Sequence, residues 1–207
     1  MEFAERAGTK PRQVGMGQAS SLSGYLSGEW KLLYCKEDVT RSSPFFWAFR
    51  KAFPDVSDEI FSITDAIPAP IKKTGPAFQT ISLDKSSNTG TLVSRVDVST
   101  FAASSTMTTR CTIDGIEGLN GLRVSVDTTK PEDWTILKPL GKLGDSIIQN
   151  AKPFPSGEAL EKVQVGSSRV LLLTNFCDQN LRITRNADRD GEIYVWERKG
   201  FFGEMEF

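Results

Sequence analysis

The stretch Leu26–Cys35, LSGEWKLLYC, decides how the rest of the chain is interpreted. It places Gly28 and Trp30 at the start of a run of apolar and aromatic residues, which is typical of a strand. Glu29 and Lys31 flank the Trp as the outward-pointing residues of a half-buried strand would. The glycine lets the backbone pass close beneath the Trp. Two interpretations stay open here: an ordinary strand with a core Trp, or the first strand of a barrel whose closed end the Trp fills.

Composition places the chain among soluble globular proteins. It has 207 residues, of which 39% are hydrophobic and 25% are charged. Its 25 basic and 26 acidic residues give a net charge of −1, so we expect no nucleic-acid partner. No segment approaches the roughly 20 consecutive apolar residues that cross a bilayer. We therefore expect any contact with lipid to be that of a soluble carrier or a surface-attached domain.

Histidine is absent from the sequence. Its absence excludes Ser-His-Asp and Cys-His nucleophiles, the facial-triad iron site and zinc sites that contain histidine. Cys35, Cys111 and Cys177 lie far apart and form no C-x-x-C pair, so they are predicted to be buried, reduced thiols of a reducing compartment. We expect no catalytic activity, no cofactor and no metal site.

The sequence divides into three parts. Residues 1–23 are rich in Gly, Ser, Gln and basic residues without periodicity, and they predict a flexible lead-in without a secretory apolar region. Residues 24–200 form the predicted domain, and residues 201–207 form a C-terminal tail. Within the domain, residues 128–167 carry several prolines and glycines and are longer than an ordinary loop. This segment, with short helices predicted near 140–148 and 158–163, is either a lid over a cavity or an ordered surface excursion.

A short aromatic helix follows the first strand. Ser43 is its predicted N-cap, Pro44 takes the first helical position and Pro54 ends it. A second short helix is predicted over 58–67. The aromatic helix either packs on the core, or it closes a cavity or docks on a membrane or partner. The candidate residues for such a docking surface are Phe45, Phe46, Phe49 and Arg50.

From residue 77 the pattern changes to period two, which predicts short strands over 77–83, 91–98, 104–113, 122–127, 169–176, 181–185 and 192–198. With the first strand, this gives about eight up-and-down antiparallel strands, enough to close a barrel around one small ligand. The predicted fold is therefore all-β with short helices. The candidate cavity-lining residues are Trp30, Leu32, Tyr34, Phe78, Met107, Val124, Leu172 and Trp196.

Charged residues near the end of the chain allow several roles. The acidic residues that cluster near the last hairpin occupy turn positions, where Asp is favoured for backbone reasons rather than for catalysis. They are Asp178, Asp188, Asp190 and Glu192. Arg182 and Arg185 either bind an anionic head group or point outward from their strand. Because the first and last strands of a closed barrel are neighbours, Arg198 is predicted to cover Trp30 in a cation–π contact, with Arg182 as the rival.

Two blocks together resemble the plastid lipid-associated proteins, also called plastid fibrillins. The first is the opening Leu26–Tyr34, similar to the family's Leu-x-Gly-x-Trp-x-Leu-x-Tyr. The second is Thr174–Arg185, followed by Gly191, similar to the segment Asp-x-x-Leu-Arg-Ile-x-Arg-Gly. The chain departs from the family in a longer final hairpin loop, residues 186–191, and in the absence of a helical stretch before Gly28.

The resemblance implies a lipocalin-like barrel in plastids, associated with thylakoids or plastoglobules, that binds isoprenoid, quinone or acyl lipid without catalysis. It also implies an enzyme of prenyl-quinone synthesis as a partner. The alternative is a scaffold protein that docks through its aromatic helix and holds no ligand. An enzyme on a related barrel fold is the weakest hypothesis, because the chain has no coherent acid–base pair.

Overall fold

The computed structural model describes residues 25–68, 71–84, 86–100, 103–132, 150, 152–189 and 192–199. Within these residues the chain forms eight strands, three short α-helices and one 3-10 helix. The strands are β1 Gly28–Cys35, β2 Lys72–Leu83, β3 Gly90–Thr100, β4 Ala103–Glu117, β5 Gly121–Glu132, β6 Arg169–Cys177, β7 Leu181–Asn186 and β8 Ile193–Arg198. The helices are the 3-10 helix Val39–Ser42, α1 Pro44–Ala52, α2 Ser57–Asp65 and α3 Ser156–Val163.

The eight strands form one antiparallel sheet that closes into a ring. Each strand pairs with its neighbour in sequence, and β1 also pairs with β8. Gly28 lies opposite Ile81 of β2, and Trp30 lies opposite Arg198 of β8. The prediction of eight up-and-down antiparallel strands is therefore confirmed. Several strands begin earlier or end later than predicted, because regular pairing continues into residues that lack a clear hydrophobic alternation.

The two ends of the ring differ, and we name them the floor and the mouth. The floor is the end where β1 begins, beside Trp30 and Arg198. The mouth is the opposite end, where β1 runs into the 3-10 helix and α1. Helix α1 contacts the 3-10 helix, α2, α3 and strands β4, β5 and β6, so it lies across the mouth.

The interior of the ring is packed and partly polar. Its apolar part includes Leu92, Ile113 and Leu122, all fully buried. Polar side chains share the same inward faces and are equally buried. These are Gln79, Ser94, Thr109, Thr174, Arg182 and Thr184. The strand interior is therefore a core with a polar component rather than the apolar cavity that the sequence predicted.

The helices differ from their predictions in detail. Helix α1 begins after Ser43 with Pro44 in its first turn, as predicted, but the Ser43 hydroxyl donates to Thr109 Oγ1 at 3.3 Å instead of capping the helix. Helix α3 falls where a short element was predicted over 158–163. The predicted lead-in 1–23, the helix near 140–148, the Asp190–Gly191 turn and the tail 201–207 lie outside the described residues.

Candidate functional site

A cavity of about 360 Å³ lies at the mouth, between helices α1 and α2 and the ends of strands β2, β3 and β4. Its volume is in the range of small-molecule sites in proteins, about 300–1,000 Å³. The wall is mostly apolar and aromatic. It consists of Thr40, Arg41, Phe45, Phe46, Phe49, Ile60, Phe61, Ile67, Lys72, Val98 and Met107.

Aromatic rings from both helices form the cavity wall. Phe46 and Phe49 of α1 each place their ring centroid 5.8 Å from that of Phe61 on α2. Residues three and four apart lie on one face of a helix, so Phe46 and Phe49 both contact α2, and Phe45, next to both rings, completes the cavity wall on α1. The opposite face of α1 buries Trp47, whose indole N–H donates to Arg41 O at 2.6 Å. The helix therefore divides its aromatic residues between the ring interior and the cavity.

The two cations at the cavity rim are paired with carboxylates. Arg41 donates to Asp65 at 2.7 Å, and its guanidinium lies 3.9 Å from the ring centroid of Phe61. Lys72 lies 3.1 Å from the Asp38 carboxylate. Burial raises the pKa of Asp38, but hydrogen bonds from Thr40 and Lys72 outweigh it, so the pKa is lowered. The positive charges of Arg41 and Lys72 at the cavity rim are therefore neutralised by carboxylates, and the wall beside them is apolar.

Phe45, Phe46, Phe49 and Arg50 do not form the exposed docking surface that the sequence suggested. The three phenylalanines are half-buried in the cavity wall. The Arg50 side chain is only 10% exposed and bonds to the Glu37 carboxylate at 2.6 Å and to the Glu192 carboxylate at 2.7 Å. These ion pairs occupy the guanidinium of Arg50 at the C-terminal end of the helix. The sequence does not reveal them, because the carboxylate partners lie on other segments of the chain.

The floor is built around Trp30. Its indole N–H donates to Leu26 O at 2.9 Å, and the guanidinium carbon of Arg198 lies 4.3 Å from its ring centroid. Arg198 also donates to the backbone carbonyls of Gln179 at 2.6 Å, of Ser27 at 2.9 Å and of Tyr25. The guanidinium of Arg198, in the last strand, therefore connects that strand to Tyr25 and Ser27 at the start of the domain while it covers the Trp30 ring.

Arg182, the rival for that position, lies deeper inside the ring. Its guanidinium carbon is 4.8 Å from the Trp196 centroid and 5.2 Å from the Trp30 centroid. The side chain is fully buried and donates to Gln79 Oε1 at 2.7 Å. Both arginines thus contact Trp30, Arg198 from the outer side of the floor and Arg182 from the interior. Arg185 lies three residues from Arg182, on the opposite face of β7, and is half-buried.

Six of the eight predicted cavity-lining residues fall into three groups. Met107 lines the cavity at the mouth. Leu32 is partly buried against the core. The others that face inward are fully buried in the packed core and line none of the described cavities, so they are structural: Trp30, Val124, Leu172 and Trp196.

Tyr34 and Phe78 were predicted to face inward, and both predictions are wrong. A bulge between Leu32 and Tyr34 breaks the alternation of β1, which leaves Tyr34 56% exposed. On β2 the inward residues are Ala77 and Gln79, so Phe78 points outward, with Lys199 Nζ 5.2 Å from its ring centroid.

Of the carboxylates near the last hairpin, Asp178 lies in the turn between β6 and β7 and behaves as a turn residue. Asp178 accepts from the backbone N–H groups of Asn180 and Leu181, each at 2.7 Å, as its turn position predicted. Glu192 is different: it is buried and accepts from Tyr194 Oη at 3.0 Å as well as from Arg50. The two contacts of Glu192 connect helix α1 to strand β8 and so stabilise the fold.

All three cysteines are free thiols; Cys111 and Cys177 are buried as predicted, whereas Cys35 is only half-buried. Burial raises the pKa of Cys35 and of Cys177 to about 11, and it raises the pKa of Cys111 as well. Nucleophilic chemistry needs the thiolate, and burial keeps these three groups in the thiol form at neutral pH. No cluster of three metal-ligating side chains occurs among the described residues, and none of the helices described is long and apolar enough to cross a membrane.

Sequence reasoning missed the part of the cavity that α2 supplies. Phe61 is buried, and Ile60 and Ile67 lie at the cavity edge. The signal was available, since the second predicted helix carries an aromatic residue among isoleucines. What the sequence does not contain is the packing of α2 against α1.

Comparisons of this chain with family models, with curated proteins and with solved structures gave no match.

Proposed function

We propose that this protein is a non-catalytic carrier that holds an apolar lipid, isoprenoid or acyl, in the cavity at the mouth. The observation that carries the proposal is the aromatic and aliphatic wall formed by α1, α2, Val98 and Met107. Burial of apolar ligand surface there contributes about 25 cal/mol per Å². The paired charges of Arg41 and Lys72 leave the rim without a strong preference for a charged ligand.

Binding of two probes, farnesol for an isoprenoid chain and palmitoleate for an acyl chain, tests this proposal by native mass spectrometry and fluorescence titration. Met107→Trp places an indole in the cavity, and we expect it to weaken probe binding at least tenfold. Leu119→Trp is the matched control, because Leu119 is exposed on the turn between β4 and β5. Equal affinity of both variants and the wild type would overturn the assignment of the cavity.

We further propose that the chain is a lipocalin-like member of the plastid lipid-associated proteins, acting at thylakoid or plastoglobule surfaces. Support comes from the two sequence blocks, from the closed up-and-down ring and from the contact of Arg198 with Trp30. A fluorescent fusion of the full coding sequence that stays outside plastids would contradict this location.

A second candidate function, docking on a lipid surface, is favoured by one observation on α2. Ile60 of α2 and Ile67, just beyond its C-terminal end, are exposed and also line the cavity, and Ile63 between them is 64% exposed. This stripe gives an apolar ligand a direct route from a lipid surface into the cavity. Flotation with phosphatidylcholine vesicles tests it: Ile63→Asp should reduce binding severalfold, whereas Val165→Asp, at a position 90% exposed, should not. Identical flotation of both variants would refute docking through α2.

A further inference from the structure

The outer surface of the ring is polar on one side and apolar on the other. Side chains that point outward from β4 and β5 are polar and exposed: Arg110, Thr112, Asp114, Arg123 and Asp127. Those that point outward from β6, β7 and β8 are mostly apolar and half-buried: Leu173, Phe176, Leu181, Ile183, Ile193 and Val195. An antiparallel sheet commonly turns one apolar face to its core and a polar face to water. A second apolar face, on the outside of the ring, therefore indicates a binding partner.

Strand pairing arranges the outward side chains of β6, β7, β8 and β1 in three rows. The central row consists of successive cross-strand partners: Phe176, Ile183, Val195 and Tyr34. We name one flanking row the arginine row: Leu173, Arg185 and Ile193. We name the other the glutamate row: Leu181, Glu197 and Lys31. Neighbouring rows lie about 7 Å apart, because two residues of β7 separate them. The three rows together form the outer patch.

The outer patch contains an arginine without a counter-charge. Among the described residues, Arg185 takes part in no ion pair. Its neighbours in the arginine row, Leu173 and Ile193, are apolar. In the glutamate row, Lys31 Nζ donates to Glu197 Oε1 at 3.0 Å. Both oxygens of a carboxylate accept hydrogen bonds, so Glu197 can also accept from an arginine.

We propose that the outer patch binds the outer patch of a second copy of this chain. Charge complementarity carries the proposal, because a two-fold axis along the central row exchanges the two flanking rows. Arg185 of each copy then faces the glutamate row of the other copy, within reach of Glu197 of the partner subunit. Sheets that pack face to face lie about 10 Å apart, a gap that an arginine and a glutamate side chain span together. The central row packs on itself, as an isologous interface requires.

A second copy fits the outer patch better than a lipid layer does. A lipid layer would place hydrocarbon against the ion pair of Glu197 with Lys31, which is costly for charged groups. A second copy leaves that pair intact and supplies one carboxylate for each Arg185. The outer patch contributes about ten residues per copy, fewer than the roughly 20–30 of a standard interface, so we expect a weak dimer with a dissociation constant of about 10–100 µM. The outer patch shares no residue with the cavity wall at the mouth, so dimerisation does not depend on lipid binding.

Sedimentation velocity of the full chain tests the proposal, at concentrations from about tenfold below to tenfold above the expected dissociation constant. We expect a reversible equilibrium between monomer and dimer. Ile183→Asp places a charge in the central row and should raise the dissociation constant about tenfold or more. Val93→Asp is the matched control, because Val93 is a half-buried outward residue of β3, on the opposite side of the ring. It should leave the dissociation constant unchanged.

A charge exchange tests the two-fold arrangement. Arg185→Glu and Glu197→Arg each place like charges across the axis, so each variant alone should dimerise about tenfold more weakly than the wild type. An equimolar mixture of the two variants restores opposite charges at both contacts. Its mixed dimer should form with a dissociation constant within about threefold of the wild-type value. Circular dichroism of each variant establishes that it is folded.

The wild type alone can overturn the proposal, without any variant, if it sediments as a monomer at every concentration. A dimer that Ile183→Asp weakens no more than Val93→Asp uses another surface, and this result also overturns the proposal. A mixture of Arg185→Glu and Glu197→Arg that dimerises no better than its components refutes the contact between Arg185 and Glu197 of the partner subunit.

Discussion

The sharpest test of the floor is the substitution Gly28→Ala. Gly28 has φ of +142°, a conformation that side chains disfavour, and a Cβ atom there would overlap Nη1 of Arg198. The substitution therefore strains the backbone, by about 1–3 kcal/mol. It also displaces a guanidinium that lies over Trp30 and donates to three carbonyls.

The magnitude follows from these two parts. Loss of the cation–π contact costs about 0.5–2 kcal/mol, and loss of charged hydrogen bonds costs about 1.5–3 kcal/mol. With the backbone strain, we expect the free energy of unfolding to fall by about 3–8 kcal/mol. Urea denaturation followed by tryptophan fluorescence measures this directly, because Trp30 and Trp196 are fully buried.

A double-mutant cycle with Arg198→Met separates the displacement from the strain. In the Arg198→Met background the new methyl group meets no guanidinium, so Gly28→Ala should cost only the strain, and the coupling should be about 2 kcal/mol or more. Gly118→Ala is the matched control, since Gly118 also has positive φ, +62°, but its Cβ would meet nothing within 4 Å. We expect it to cost about 1–2 kcal/mol. Additivity of Gly28→Ala and Arg198→Met within about 0.5 kcal/mol would refute the reasoning.

Two further predictions concern pH. Because burial raises the pKa of Cys177 to about 11, the stability that the protonated thiol contributes is present below the unfolded pKa of about 8.5 and is lost as pH rises through 11. Cys177→Ala should therefore flatten the alkaline fall of the urea midpoint, and an unchanged slope would contradict this. Asp38 has a lowered pKa, so its contribution is present above about pH 3.9 and is lost as pH falls further. Asp38→Asn should cost about 1–3 kcal/mol at pH 7 and less at pH 3, and an equal cost at both would count against it.

The order of the strands is predictable from sequence because period-two alternation and short turns leave few other topologies. The contact of Arg198 with Trp30 follows from the same reasoning, since closing an up-and-down sheet makes the first and last strands neighbours. The strand order and the pairing of β1 with β8 do not depend on which way an individual side chain points, and this explains why both are predictable.

The direction in which an individual side chain points is harder to predict from the sequence. On β7 the inward positions are Arg182, Thr184 and Asn186, whereas the more hydrophobic Leu181 and Ile183 are only half-buried. The hydrophobic pattern therefore indicates the wrong face. On β1 the bulge after Leu32 reverses the alternation within one strand. Both cases depend on partners across the ring, which a single strand's sequence does not contain.

The polar interior is one reason why we propose the mouth, and not the ring, as the place of an apolar ligand. Hydrocarbon placed inside the ring would lie against the unpaired Nε and Nη1 of Arg182 and the hydroxyls of Ser94 and Thr174. Each unsatisfied group costs about 1–3 kcal/mol, and more when it is charged. At the mouth, Arg41 and Lys72 already have carboxylate partners, so apolar contact there leaves no ion pair broken. The difference amounts to about several kcal/mol, which favours the helix-walled cavity as the site of the proposed apolar ligand.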